Sequence, residues 1–190
     1  MTSEEIVGGR DVVAFLVRQH QQIKDLFEQV SSSAAEQRQE PFIALRRLLA
    51  VHETAEEEVV HPRARQELAD GADVVDARLQ EENEAKQKLA TLESLDVGSA
   101  EFEKLFQELQ ADVLTHAAAE ESEEFSRLAD ELDADQLDRM RRAVELAEAS
   151  APTRPHPGVE SATANVLTGP FAAMLDRARD IMTGKSNDAA

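Results

Sequence analysis

Residues 45–59 read LRRLLAVHETAEEEV and contain the pattern on which the predicted fold depends. Apolar side chains recur there at the three- and four-residue spacing that places them on one face of an α-helix. His52 and Glu56 continue the same stripe, although a buried position in a helical bundle ordinarily takes an apolar side chain. The stretch therefore predicts a helix that directs one imidazole and one carboxylate into a core.

Two further segments show the same interruption. In residues 13–30 the apolar stripe includes His20, and in residues 102–120 it includes His116, followed four residues later by Glu120. Residues four apart lie on one helical face, about 6 Å apart along the axis. A buried carboxylate without a partner is costly, and a helical bundle offers few backbone partners. Two His-x-x-x-Glu pairs and a third histidine therefore predict a buried metal site.

The remaining periodicity predicts an all-α protein. Asp11 and Asp73 suit helix N-caps, Pro41 suits a first helical turn, and Asp133 with Gln136 resembles a capping box. Short connections between four long helices imply antiparallel neighbours, and so an up-down four-helix bundle with a short extra helix. The segments expected to be helical are 11–33, 41–62, 73–96, 100–130 and the shorter 133–149.

The C-terminal region, residues 150–190, differs in character from the predicted bundle, residues 1–149. Prolines at positions 152, 155 and 157 exclude regular helix, so we expect an extended segment there. An amphipathic helix is predicted over 169–183. We expect it to pack on the bundle, and a partner-binding tail is the alternative.

Charge and composition exclude several classes of protein. The 190 residues include 20 Lys plus Arg against 39 Asp plus Glu, a net charge of −19, which disfavours nucleic acids and anionic membranes as partners. The absence of cysteine excludes disulfides, thiolate zinc sites and iron–sulfur clusters. No signal peptide or membrane span is recognisable. We expect a cytoplasmic protein that is a monomer or a weak homodimer.

The third predicted helix leaves alternatives open. Either Glu82 or Asn83 faces the core, and Glu82 would add a carboxylate ligand. Lys86 lies four residues after Glu82, so a salt bridge between them competes with the ligand role. His61 precedes Pro62 and is expected at the end of the bundle, in a structural role.

The kind of ion follows from the donor atoms. Imidazole with carboxylate suits iron, manganese or zinc, and two facing carboxylates suit a pair of ions about 3.5–4 Å apart. Most of the other glutamates in residues 53–58, together with those in 121–124, are predicted to form solvated faces.

The set His20, His52-x-x-x-Glu56 and His116-x-x-x-Glu120 resembles the hemerythrin-like, or HHE cation-binding, domain. The stretches HETAEEEVVHP, EENEAKQKLATLE and HAAAEESEEF carry the resemblance over about residues 11–130. It is closest to actinobacterial, including mycobacterial, hemerythrin-like proteins, whose Pro-Thr-Arg-Pro-His-Pro tail extends it to about residue 183.

This resemblance implies a four-helix bundle around two iron ions joined by an oxo or hydroxo bridge. The matching positions imply five ligands, and the third helix departs from the family because Asn83 stands where a histidine is common. Glu82 is therefore the candidate sixth ligand. The predicted metal ligands are His20, His52, Glu56, Glu82, His116 and Glu120.

The resemblance also implies a protein that binds or turns over small oxidants, namely dioxygen, hydrogen peroxide or nitric oxide. Similarity to catalase-like mycobacterial proteins favours peroxide disproportionation, and an oxygen-rich ligand shell disfavours reversible oxygen carriage. The alternatives are a non-enzymatic iron- or oxygen-sensing module and a purely structural bundle. Ferritin-like storage would use Glu-x-x-His pairs, whereas here histidine precedes glutamate.

Overall fold

A computed structural model of the chain describes residues 10–151, and every regular element in that range is helical. In chain order these elements are α1 (Val12–Ser32), a short 3-10 helix (Ala35–Gln37), α2 (Gln39–Ala55), the first π-helical segment (Glu56–Val60), α3 (His61–Glu67), α4 (Gly71–Leu92), α5 (Ala100–Ala119), the second π-helical segment (Glu120–Phe125), α6 (Ser126–Glu131) and α7 (Ala134–Ser150). The extended segment and the helix predicted after residue 151 lie outside the described residues.

The predicted all-α bundle is confirmed. The first π-helical segment joins α2 to α3, and the second joins α5 to α6, so each forms one continuous helical stretch. Helix α1 packs against α2 and α5, and α4 packs against α5 and α3. Helix α7 is the predicted extra helix, and it packs on α1, α2 and the first π-helical segment. None of the helices in residues 10–151 is long and apolar enough to cross a lipid bilayer.

Three of the four helix-start predictions are confirmed. Asp11 accepts a hydrogen bond from the backbone N–H of residue 14 over 2.9 Å, Pro41 lies in the first turn of α2, and Asp133 forms the capping box with Gln136. The cap predicted at Asp73 is wrong, because α4 begins at Gly71 and Asp73 lies within its first turn.

Close packing explains why α4 begins with a glycine. A Cβ atom at Gly71 would stand 2.2 Å from the backbone oxygen of Ala64 in α3. Glycine is therefore required by the approach of two helices, and it does not interrupt α4.

The core consists of two apolar clusters with polar side chains between them. One cluster contains Leu16, Val59, Val75 and Phe125 together with the inward face of α7. The other contains Ile23, Leu49, Ala85 and Val113 with the phenylalanines of α2 and α5. Helices α1, α2 and α4 therefore pass from one cluster to the other, and so does α5 together with the second π-helical segment. The residues between the clusters, here called the polar layer, are His20, His52, Glu56, Glu82, His116 and Glu120.

Candidate metal centre

The six predicted ligand residues lie together in the polar layer, in two overlapping groups. The first group is His20, His52, Glu56 and Glu120, and the second is Glu56, Glu82, His116 and Glu120. Within each group, one ligand atom from every residue lies within 4.8 Å of the others. Glu56 and Glu120 belong to both groups, which is the arrangement expected of two carboxylates shared by two neighbouring ions.

All three histidines of the polar layer are oriented in the same way. Nδ1 of His20 lies 2.9 Å from Oε1 of Glu121, and Nδ1 of His116 lies 2.8 Å from Oε2 of Glu81. Nδ1 of His52 lies 2.8 Å from the amide oxygen of Gln19. These acceptors hold a proton on each Nδ1, so each Nε2 faces the interior, as in histidines that bind metals.

The inward nitrogens lie at ligand-like distances from the shared carboxylates. Nε2 of His20 and of His116 lie 3.3 Å and 3.2 Å from oxygens of Glu120, and Nε2 of His52 lies 3.3 Å from Oε1 of Glu56. Two ligand atoms that each lie about 2.1 Å from one ion are about 3 Å apart when the ligand–ion–ligand angle is about 90°. The N–O distances of 3.2–3.3 Å are therefore close to those expected between two ligands of one ion.

The shared carboxylates are buried without compensation from hydrogen bonds. Glu56 and Glu120 are each 0% exposed, and none of their four oxygens has a hydrogen-bond partner in the described part of the chain. Such burial is costly unless a cation compensates it. Burial and the neighbouring Glu120 raise the pKa of Glu56 well above its usual value. Burial alone would raise the pKa of Glu120, but His116 and His20 hold it well below its usual value.

His52 is held neutral. Burial, together with the neighbouring His20, lowers the pKa of His52 to about 3. Only the neutral imidazole has a lone pair for a metal ion. The donor set, with buried carboxylates that lack hydrogen-bond partners and imidazole Nε2 atoms that face them, therefore fits a buried cation.

Glu82, not Asn83, faces the core. Glu82 is 1% exposed, whereas Asn83 is only partly buried. The predicted salt bridge is present, with Oε2 of Glu82 3.5 Å from Nζ of Lys86. Glu82 also belongs to the second group, and its role as a ligand stays a prediction. Although burial would raise the pKa of Glu82, His61 and Lys86 lower it to about 2.

The position predicted for His61 is wrong. This residue is 2% exposed and lies beside the polar layer, with Nε2 2.6 Å from Oε1 of Glu82 and Nδ1 2.9 Å from Oε1 of Glu124. The π-helical segment before it is the reason. The N–H of His61 bonds to the carbonyl of Glu56, five residues back, so His61 remains on the inward face.

The prediction of solvated acidic faces is also wrong in part. Side chains of Glu121 and Glu123 are 42% and 59% exposed, as expected. Glu124 is 0% exposed and faces His61. The glutamates at 53, 57 and 58 are buried as well. Both runs lie in or beside π-helical segments, whose wider turns bring an additional residue inward.

Sequence reasoning did not find the residues that orient the histidines. Glu81, Glu121 and Gln19 are the acceptors for the three Nδ1 atoms. Gln19 in turn donates from Nε2 to Oε1 of Glu148 on α7, over 2.6 Å. Each acceptor except Glu148 is adjacent in sequence to a member of the polar layer, and that adjacency was the available signal.

Comparison with known families agrees with this arrangement. The model of the hemerythrin HHE cation binding domain matches residues 11–128. No curated protein and no solved structure gives a significant match. The family match covers more than half of the chain and both His-x-x-x-Glu pairs, so the chain belongs to the hemerythrin HHE cation-binding domain family.

Proposed function

We propose that this chain is a non-haem di-iron protein. His20 and His52 would hold one ion, Glu82 and His116 the other, and Glu56 and Glu120 would join both. The observation that carries the proposal is the pair of fully buried shared carboxylates, which lack hydrogen-bond partners and face imidazole nitrogens. Carboxylate oxygens outnumber imidazoles among these ligands, which favours the ferric state of iron.

We infer that the centre turns over small oxidants, with hydrogen peroxide as the leading substrate. In the proposed reaction one peroxide is oxidised to dioxygen and a second is reduced to water, each exchanging two electrons and two protons. A bound iron pair supplies those electron transfers. The chain holds the imidazoles in one orientation and buries the two shared carboxylates. The basis for peroxide is the resemblance to mycobacterial hemerythrin-like proteins.

A surface groove supports access by small molecules. It has a volume of about 660 Å³ and lies between α1 and α5, with His20, Ala117 and Ala118 among its lining residues. Glu121, whose Oε1 lies 2.9 Å from Nδ1 of His20, also lines this groove. Dioxygen, peroxide and nitric oxide are small enough to use such an opening.

Metal analysis combined with oxygen evolution tests the proposal. We expect about two iron ions per folded chain after growth with iron, and dioxygen release on addition of peroxide. Glu120→Gln should lose both properties, because it removes a shared ligand. Glu108→Gln, at an exposed position of the same helical stretch, is the control and should keep both. A folded protein with almost no metal would refute the di-iron centre.

A non-enzymatic sensing module is the second candidate, and one observation favours it. The hydrogen bonds from His52 to Gln19 and from Gln19 to Glu148 connect the centre to α7, the helix that precedes the C-terminal region. Protein that binds two irons but releases no oxygen from peroxide would support sensing over turnover.

A further inference from the structure

His61 follows the same geometric rule as the three histidines of the polar layer. Its Nδ1 lies 2.9 Å from a carboxylate oxygen of Glu124, and its Nε2 lies 2.6 Å from Oε1 of Glu82. Both partners are buried, as is His61 itself. One ring nitrogen is thus held by an acceptor outside the polar layer, and the other faces a residue within it.

We propose that His61 is a ligand of the second metal ion, bound through Nε2 and oriented by Glu124. This inference rests on the proposed di-metal centre. Two donor atoms on one ion stand about 3 Å apart, so the distance of 2.6 Å between Nε2 and Glu82 needs to lengthen only slightly when an ion enters. His61 and Glu124 also form a group with Glu120 whose ligand atoms lie within 4.8 Å of one another.

The composition of the two groups supports this role. The first group contains two imidazoles, from His20 and His52, whereas the second contains only His116, because α4 has no histidine. With His61 included, each ion would have two imidazoles and the same two shared carboxylates. His61, the first residue of α3, would then supply the imidazole that α4 does not provide.

The π-helical segment explains how a residue nine positions after His52 reaches the centre. In a regular α-helix, five residues after Glu56 correspond to a rotation of about 140° away from its face. The hydrogen bond from the N–H of His61 to the carbonyl of Glu56 closes one wide π-turn, so that His61 lies on the same face as Glu56. Such π-turns are rare and often occur at functional sites.

A structural alternative gives a different result in a metal titration. In that alternative His61 is an imidazolium ion paired with Glu82 and Glu124, and its loss would affect folding more than metal binding. Chelator-treated protein is titrated anaerobically with Fe²⁺, and bound iron is counted. We expect His61→Gln to retain the first ion and to bind the second more than about 100-fold more weakly, because loss of an outer partner alone costs about 10–100-fold.

Two controls accompany this variant. Gln66→Asn changes an exposed polar side chain of α3 and should leave both ions bound as in the unaltered chain. In His61→Gly, added imidazole should restore the second ion, an effect that a purely structural histidine does not predict. If His61→Gln is folded and binds both ions with unchanged affinity, the inference is overturned. If the unaltered chain itself binds no metal, the proposed function fails with it.

A measurement on the unaltered chain does not depend on whether the variants fold. Co²⁺-loaded protein is studied by proton NMR, in which exchangeable Nδ1–H protons of ligand imidazoles are strongly shifted by the ion. Four such resonances are expected if His61 is a ligand. Three resonances, from His20, His52 and His116, would overturn the inference while leaving the proposed metal centre intact.

Discussion

The side-chain amide of Gln19 donates a hydrogen bond from Nε2 to Oε1 of Glu148 over 2.6 Å. This bond directs the amide oxygen of Gln19 at Nδ1 of His52, 2.8 Å away. Helix α7 lies outside the four-helix bundle, yet it supplies the carboxylate that orients Gln19. The orientation of a candidate ligand on α2 therefore depends on the docking of α7.

Replacing Gln19 is expected to weaken binding of the first ion. Gln19→Leu removes the acceptor for Nδ1 of His52, and loss of such an outer partner costs about 10–100-fold in metal affinity. Glu148→Ala should have a smaller effect in the same direction, and the double variant should be non-additive because the bonds are in series. Metal titration of each variant provides the measurement. Glu145→Ala, at an exposed position of α7, is the control, and unchanged affinity in Gln19→Leu would contradict the prediction.

Replacing Glu56 is expected to separate stability from metal binding. Glu56 is fully buried, and neither of its oxygens has a hydrogen-bond partner in residues 10–151. Glu56→Met has a similar volume and removes this unsatisfied carboxyl group, so the metal-free protein should unfold with a free energy about 1–3 kcal/mol higher. Binding of both ions should be lost at the same time.

Urea unfolding of chelator-treated protein tests the expected gain in stability, and metal titration tests the expected loss of binding. Glu84→Met, at an exposed position of α4, should change neither quantity appreciably. A Glu56→Met protein that is less stable than the unaltered chain without metal would show that Glu56 has a structural partner.

The sequence was sufficient for the parts of the site that precede the π-helical segments. His52 with Glu56, and His116 with Glu120, are four residues apart in regular α-helix, so their common face follows from a rotation of about 100° per residue. The same regular spacing allowed the inward face of α1 to be predicted, and His20 lies on that face. Caps at Asp11 and Asp133 were predictable because they depend on local chemistry alone.

The remaining parts depend on features without a local signal. Nothing in the spacing distinguishes a π-turn at Glu56 from a continuing α-helix, so His61 was assigned to the wrong place. Glu82 and Asn83 are adjacent at the edge of one stripe, and the packing of α4 against α5 and α3 decides between them. The contact between Gln19 and Glu148 joins residues 129 positions apart, and it requires the docked position of α7.

Loss of Lys86 is expected to destabilise the protein strongly. Its ammonium group contacts Glu57 and lies 3.5 Å from Glu82 and 3.8 Å from Glu53. Lys86→Met leaves these buried carboxylates without their cation, so the free energy of unfolding should fall by about 3–5 kcal/mol.

The matched control for Lys86 is Lys88→Met in the same helix. Lys88 pairs with Asp112 at a more exposed position, where an ion pair contributes about 0–1 kcal/mol. Thermal or urea unfolding of the two variants gives the comparison. Equal losses in Lys86→Met and Lys88→Met would show that the buried cluster does not depend on Lys86.

The metal-free protein is expected to lose stability as the pH rises from about 6.5 to 8. Burial, opposed by Lys86, raises the pKa of Glu53 to about 7, and burial with the neighbouring Glu82 raises that of Glu57 to about 8. The folded state therefore keeps protons that the unfolded chain, with ordinary glutamate pKa values, has already released. Where the folded state binds more protons, the free energy of unfolding falls with rising pH.

Urea unfolding of chelator-treated protein at several pH values across that window measures the slope. Glu57→Gln removes one of these titrating groups, so its slope should be shallower than that of the unaltered chain. Glu84→Gln, at an exposed position, should leave the slope unchanged. A free energy of unfolding that stays constant or increases between pH 6.5 and 8 would mean that the buried carboxylates are already ionised in the folded protein. The ammonium group of Lys86 would then outweigh their burial.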